Sequence, residues 1–256
     1  MRTHEQTVQQ QFDPRAEAYL ASAVHSAGPD LEYARELVAK TLGHGVAALD
    51  IGCGAGHLAF ALARHVDRMV ALDPSPSMLA TVSRSAAQRG LRQIEVRQGS
   101  AEALPHAHES FALLCTRYSA HHWRRLEAAV GEMRRVLLPG GHALIIDTVG
   151  AADPLTDTYL QSIELLRDVS HVRNRTRSDW HALLQSAGLA ELEYREWPTR
   201  LEFSSWVARM RTPADRVAVI RGLQDAAPRE VREALSLEDD GSFTLRTGLF
   251  WLRKVS

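Results

Sequence analysis

The chain lacks the features that mark a secreted or membrane protein. It has 256 residues and two cysteines, Cys53 and Cys115. Both fall in segments predicted to be buried and they form no C-x-x-C, which points to a reducing compartment and away from a disulfide framework. No apolar run approaches the roughly 20 residues that span a bilayer, and Met1 to Gln11 is polar, without the apolar core of a leader. A cytoplasmic protein with no membrane association is therefore expected. An excess of one charge is also missing: 30 Lys and Arg stand against 31 Asp and Glu, a formal net charge of −1. That gives no overall electrostatic case for nucleic acid or an anionic membrane, and no DNA partner is expected. No internal repeat is found. The histidine pairs His106/His108 and His121/His122 have no further partners at a ligand spacing, so no metal is expected. What remains is an ordinary globular composition, 45% hydrophobic and 24% charged, at a length that suits a single domain, 1–256.

One stretch organises that domain. Val46 to Ile51 is a short apolar run that reads as a buried parallel strand. It carries Asp50 and is followed by glycines at every second position, Gly52, Gly54 and Gly56. An apolar run with helical spacing, Leu58 to Ala63, comes next. Glycine tolerates positive φ in such a turn, and its missing Cβ lets a ligand lie against the backbone. Free N–H groups at the helix start favour an anionic or polar ligand. A dinucleotide turn requires G-x-G-x-x-G. Here the third glycine comes one residue early, which argues against an NAD-dependent oxidoreductase.

Further along, Met69 to Leu72 reads as a second strand ending at Asp73, 73 − 52 = 21 residues after Gly52. A strand-end carboxylate at that distance can accept hydrogen bonds from both hydroxyls of a ribose. Pro74-Ser75-Pro76 then leads into a helix with Met78, Leu79 and Val82 on its apolar face. Ile94 to Arg97 alternates like an edge strand and runs into Q-G-S-A-E-A-L-P, residues 98–105. Phe111 to Thr116 is a fully apolar fourth strand, followed by R-Y-S-A-H-H-W. Arg124 to Leu138 is helical, and Leu138 to Gly141 turns into a fifth strand, His142 to Asp147. Strands alternating with helices predict an α/β doubly wound sheet. Before it, Asp13-Pro14 reads as a helix start, and a second helix opens at Asp30. After it, helices cover Leu155 to Val169 and Ser178 to about Gly188. Leu189 to Trp197 alternates like an exposed strand. Three helices then follow, from Phe203, Ala214 and Arg229. Gly241 to Leu252 reads as a final strand, antiparallel to the one before.

The series D-x-G-x-G-x-G, L-D-P-S-P-S-M-L, G-S-A-E-A-L-P and R-V-L-L-P-G-G (Arg135 to Gly141) resembles, in order, the motifs of class I S-adenosylmethionine-dependent methyltransferases. Within that family it resembles the ubiquinone/menaquinone-biosynthesis branch. The likeness covers residues 48–148. The later strings D-V-S-H-V-R-N and F-S-S-W-V-A-R-M-R-T-P look like those of uncharacterised bacterial methyltransferase-like proteins.

The resemblance implies a Rossmann-like, mostly parallel seven-stranded sheet with a C-terminal antiparallel strand. Residues 1–44 become an N-terminal helical lid, 45–148 the cofactor-binding core, and 149–256 cap helices and final strands. S-adenosylmethionine becomes the cofactor, S-adenosylhomocysteine the product, and a small molecule the methyl acceptor. Cofactor contacts are expected from Asp50, Gly52, Gly54, Gly56, Asp73, Pro74, Met78, Ser100, Ala101, Glu102 and Arg117. The family carries an aspartate where this chain has Ser100, which predicts a weaker adenine hydrogen bond without charge assistance. His122, then His121, follow the fourth strand and are the candidate bases, with loop orientation or helix capping as the alternative role. Arg15, Tyr19 and His25 of the lid, and Tyr118 after the fourth strand, are candidate acceptor contacts; packing is the alternative for Tyr19. His171 and Arg173, with Arg175 and Arg177, and the pair Arg209 and Arg211, match an anionic acceptor, against a solvated, salt-bridged surface. A non-enzymatic protein that binds the cofactor is the alternative at the level of function. The oligomeric state is left open.

Overall fold

A computed structural model describes residues 1–20, 27–43 and 45–255; His25 lies outside them. Seven strands form one sheet: β1 Ala47–Ile51, β2 Arg68–Asp73, β3 Ile94–Gln98, β4 Phe111–Arg117, β5 Leu137–Val149, β6 Leu189–Leu201 and β7 Phe243–Lys254. Their order is β3-β2-β1-β4-β5-β7-β6. The first five pair in parallel, and β7 runs antiparallel to both β5 and β6. This is the doubly wound sheet expected, with the final strand inserted between β5 and β6. β5 is longer than its predicted span at both ends: β7 pairs it on to Val149, and Leu137 already pairs with Phe111 of β4. After β1 the chain fills one side of the sheet and then returns to lay β4 on the other. The switch point therefore opens at the carboxyl ends of β1 and β4, where ligands bind in open α/β sheets.

Neighbouring residues of the central strands point into opposite cores. Leu49 and Leu114 pack with α6 (Leu126–Val136) and α8 (Arg177–Ser186). Ala48 and Leu113 pack with α3 (Pro29–Thr41), α4 (His57–Leu62) and Val82 of α5 (Pro76–Gln88). Burial on both faces explains why these strands read as continuous apolar runs. A third core lies apart from the sheet centre. Leu160 and Ile163 of α7 (Pro154–Arg167) meet Trp206 of α9 (Phe203–Met210), Ile220 of α10 (Ala214–Asp225), Val231 of α11 (Arg229–Ala234) and Phe243.

The polar, glutamine-rich start, which its sequence leaves open between fraying and a short helix, is helical. A helix, α1, already runs from His4 to Phe12. Thr3 caps it, its hydroxyl accepting from the Gln6 N–H at 3.2 Å while its own N–H donates to Gln6 Oε1 at 2.9 Å. That capping box moves the helix start ten residues ahead of Asp13. A single 3₁₀ turn, Asp13–Arg15, then joins α1 to α2 (Ala16–Leu20).

Candidate active site

A cavity of about 690 Å³ opens at the switch point, within the range of small-molecule sites. Its walls come from the glycine turn, the ends of β2 and β4, the loop after β3, and the N-terminal segment through Val8, Phe12 and Tyr19. Gly52 leaves β1 at φ 67°, and a Cβ there would lie 1.9 Å from Ser119 Oγ. Gly54 (φ 51°) has open space where its Cβ would be. Gly56 departs from expectation: it is not on the cavity wall but caps α4 at φ 89°, where a Cβ would meet Phe60 and Val82. Its role is the turn and helix packing.

Two buried carboxylates frame this turn. Asp50 accepts the Ala59 N–H at 3.1 Å through Oδ2, so the first turn of α4 is capped from below. Its Oδ1 is buried with no partner. Burial, with Asp73 nearby and only partly opposed by the Ala59 N–H, pushes the Asp50 carboxyl up to about 7. Asp73 accepts from Gly54 N–H and Ser75 N–H, both at 2.9 Å, and so joins the turns after β1 and β2. Burial raises it to about 6 against those two hydrogen bonds. Each oxygen of Asp73 keeps a further lone pair. Pro74 and Met78 continue the wall, with Met78 packed against Ala16 and Ala55.

Ser100, Ala101 and Glu102 close the far side of the cavity. Glu102 is held by Arg125, whose N–H and Nε donate to it at 3.0 and 2.7 Å. Its partner is thus within the protein. Arg135 of the R-V-L-L-P-G-G string fixes the same loop, donating to the carbonyls of His106 at 2.8 Å and Leu104 at 3.0 Å.

At the end of β4, Arg117 reaches the cavity but is ion-paired with buried Asp30 at 2.5 Å. Tyr118 takes φ 52° and shares a hydrogen bond of 2.9 Å with Thr247 on β7. The two histidines separate in role. His121 is off the cavity wall and donates from Nδ1 to Asp147 at 2.6 Å. Burial opposes its charge, but the Asp147 carboxylate prevails and raises its pKa. His122 is on the wall, and its Nδ1–H donates to the Ser170 carbonyl at 3.0 Å. The lone pair therefore sits on Nε2. Burial, then repulsion by His121, lowers His122 to about 4.

The N-terminal segment crosses the mouth and is tied to both banks. Gln9 donates to the Pro74 carbonyl at 3.0 Å and Gln11 to Asp168 at 3.1 Å. His4 donates to the His122 carbonyl at 2.9 Å, and His57 to the Tyr19 carbonyl at 3.0 Å. The Phe12 ring lies edge-on to Tyr19 at 5.5 Å and to His122 at 5.1 Å.

The predicted acceptor contacts Arg15, His171, Arg173 and Arg209 are not on the cavity wall. His171 is buried away from the cavity and donates from Nε2 to Gln161 at 2.8 Å. Arg173 pairs with Asp157 at 2.8 Å. Arg177 likewise pairs with Glu191 at 2.5 Å. Arg209 is half-buried beside Met210, and its Nε has no partner. Ser119, Trp123, His57 and Phe12 line the cavity without having been singled out as contacts. Ser119 and Trp123 stand inside R-Y-S-A-H-H-W, directly after a strand end, which was the available signal.

Comparison with known proteins agrees with this fold. The family description "Methyltransferase domain" matches residues 49–145. The uncharacterized protein YafE of Escherichia coli is 44% identical over 193 residues, 75% of this chain and 93% of YafE. The uncharacterized methyltransferase YcgJ of Bacillus subtilis is 34% identical over 240 residues, 92% of this chain and 94% of YcgJ. The crystal structure of YcgJ superposes with a TM-score of 0.82 at 33% identity, over 88% of this chain and 99% of that one. The 2-phytyl-1,4-naphtoquinone methyltransferase of Thermosynechococcus vestitus is 36% identical over 127 residues, 47% of this chain and 56% of that enzyme.

Proposed function

This chain belongs to the class I S-adenosylmethionine-dependent methyltransferases of the small-molecule branch, and on that premise we propose that it methylates an acidic hydroxyl or comparable nucleophile, with His122 as the base. S-adenosylmethionine supplies a methyl group already activated on a sulfonium. The residues at hand suit it. Asp50 Oδ1, buried and unpartnered, fits the cofactor's ammonium group. Asp73 keeps lone pairs for ribose hydroxyls, Gly52 and Gly54 let the ligand approach the backbone, and Met78, Ser100 and Ala101 take the adenine end. Phe12, Tyr19 and Tyr118 remain for the acceptor, beneath the lid formed by α1 and α2.

One observation carries the role of His122. Its Nδ1–H is committed to Ser170, which leaves the Nε2 lone pair to a residue on the cavity wall. The Ser170 turn is itself braced by Asp168, which accepts from Ser170 N–H at 2.9 Å and Oγ at 2.6 Å. At about 4, His122 is neutral at physiological pH, with its Nε2 lone pair free, and is a weak base. A base of that strength serves a phenol or enol better than an aliphatic alcohol.

The test is methyl transfer from labelled cofactor to a panel of phenols, enols, amines and aliphatic alcohols. Turnover of phenols or enols that collapses in His122→Ala, with S-adenosylhomocysteine affinity retained, is expected. Turnover confined to amines or undiminished in the variant would reject the reading.

A further inference from the structure

Four arginines gather around the last turn of α9, next to the acceptor end of the cavity. Arg15 Nη2 donates to the Met210 carbonyl at 2.6 Å. Arg167 Nε donates to the Trp206 carbonyl, one turn earlier, at 3.0 Å. Arg209 and Arg211 flank Met210 in sequence. The carbonyl end of a helix attracts cations, and this accounts for the amino group of Arg15 and for Arg167, which also pairs with Glu164 at 3.5 Å. The other amino group of Arg15 donates to the Gln11 carbonyl, and none of these contacts reaches the Nε atoms of Arg15 and Arg209. Nε of Arg15 and Nε of Arg209 are both buried without a partner, and Arg15 is 8% exposed. Among the described residues no carboxylate forms an ion pair with either. The nearby Asp168 already accepts from Ser170 N–H, Ser170 Oγ and Gln11. Asp168 and Glu164 lie close enough to act on these charges without pairing with them, but a buried guanidinium N–H without an acceptor is costly. Burial lowers the pKa of both, reinforced by Arg211 for Arg15 and by Arg167 for Arg209.

We propose that Arg209 and Arg15, at the joint between α2 and α9, form an oxyanion subsite that holds a carboxylate or phosphate group of the methyl acceptor. Guanidinium forks match either group. The subsite adjoins the cavity through Tyr19, which lines the cavity and donates its hydroxyl to Met210 Sδ at 3.2 Å. From Tyr19, two ring contacts through Phe12, of 5.5 and 5.1 Å, lead to His122. An acceptor with one ring and an anionic substituent spans that path, its acid at the arginines and its nucleophile at His122. The inference rests on the proposed function for the identity of the ligand, and it keeps Arg209 among the predicted anion contacts, adds Arg15 to them and leaves out His171 and Arg173.

The test is calorimetric titration of the full chain, loaded with S-adenosylhomocysteine, with inorganic phosphate and separately with acetate, ionic strength being held constant with chloride. Saturable binding of at least one is expected. Arg209→Gln should weaken it about tenfold, the scale of a lost charged hydrogen bond, and leave S-adenosylhomocysteine affinity within about twofold. Arg173→Gln should change neither. Arg209→Lys, which keeps the charge and loses the fork, should fall between and serves if the glutamine variant does not fold. Binding of phosphate alone identifies a phosphorylated acceptor, and of acetate alone a carboxylate. Binding of neither, or equal binding to wild type, Arg209→Gln and Arg209→Lys, would overturn the subsite. If S-adenosylhomocysteine itself does not bind, the donor-site reading fails, and the same anion titration on the unloaded chain still decides the subsite.

Discussion

The two banks of the cleft are held together by different kinds of contact. On the donor bank, carboxylates at strand ends grip backbone amides of the next turn: Asp50 holds Ala59, and Asp73 holds Gly54 and Ser75. On the acceptor bank, side chains from distant segments meet one another. His122 leans on Ser170, 48 residues away, Gln11 on Asp168, 157 away, and Arg15 on Met210, 195 away. Backbone geometry fixes the first bank wherever the sheet forms. The second exists only when lid, β4 loop and cap have all come together. The donor bank is thus suited to an invariant ligand and the acceptor bank to a variable one.

Variants should separate the banks. The largest effect is expected in the cap core. Trp206→Ala empties a site that is 1% exposed and should cost about 3–5 kcal/mol in urea unfolding, with S-adenosylhomocysteine affinity little changed. Loss of that affinity would mean that the cap supports the donor bank as well. His122→Ala should lower turnover of an ionisable acceptor about 10²–10⁴-fold and leave S-adenosylhomocysteine binding within about twofold. Asp73→Ala should have the reverse signature. It removes the proposed ribose acceptor and strands two backbone N–H groups, weakening S-adenosylhomocysteine by about 2–3 kcal/mol in calorimetry.

The smallest effect is the pH dependence, and it also divides the banks. Asp50 and Asp73 have folded pKa values raised to about 7 and about 6. Their contribution to the stability of the unliganded chain is fully present below the ordinary carboxylate pKa and is lost as pH rises through those values. A bound ammonium group favours the ionised form of Asp50, so S-adenosylhomocysteine affinity should rise between about pH 6 and 8, with proton release. Asp50→Asn should flatten that rise; an unchanged slope would remove Asp50 from the ammonium contact. On the other bank, His122 is lowered to about 4, and behind it, away from the cavity, His171 to about 2. Their contributions are present above the ordinary histidine pKa and are lost as pH falls from there through about 4 for His122 and about 2 for His171.

This contrast also explains what could be read from the chain. Asp50, Gly52, Gly54, Asp73, Met78 and Ser100 share one cavity because each is fixed by a strand end and a short turn, features with local spacing. The third glycine, Gly56, misled for the same reason. Its positive φ serves the turn, and periodicity does not tell a turn glycine from a ligand-facing one. His121 and His122 are adjacent in sequence, yet Asp147 on β5 turns one away and Ser170 presents the other, a choice made by long-range partners. Arg173 and Arg209 look alike as charged strings; Asp157 neutralises one, and no described carboxylate reaches the other. α1 was legible in principle, since Thr3 and Gln6 carry the capping-box spacing, but its polar face gave no apolar periodicity to support it.

The donor bank is tested most directly by paired calorimetric titrations of wild type and Asp73→Ala with S-adenosylhomocysteine. Micromolar binding or better by the wild type is expected, with a loss of about 2–3 kcal/mol in a folded variant. No binding by ligand-free wild type, or equal affinity in the two proteins, would contradict a donor site at Asp73.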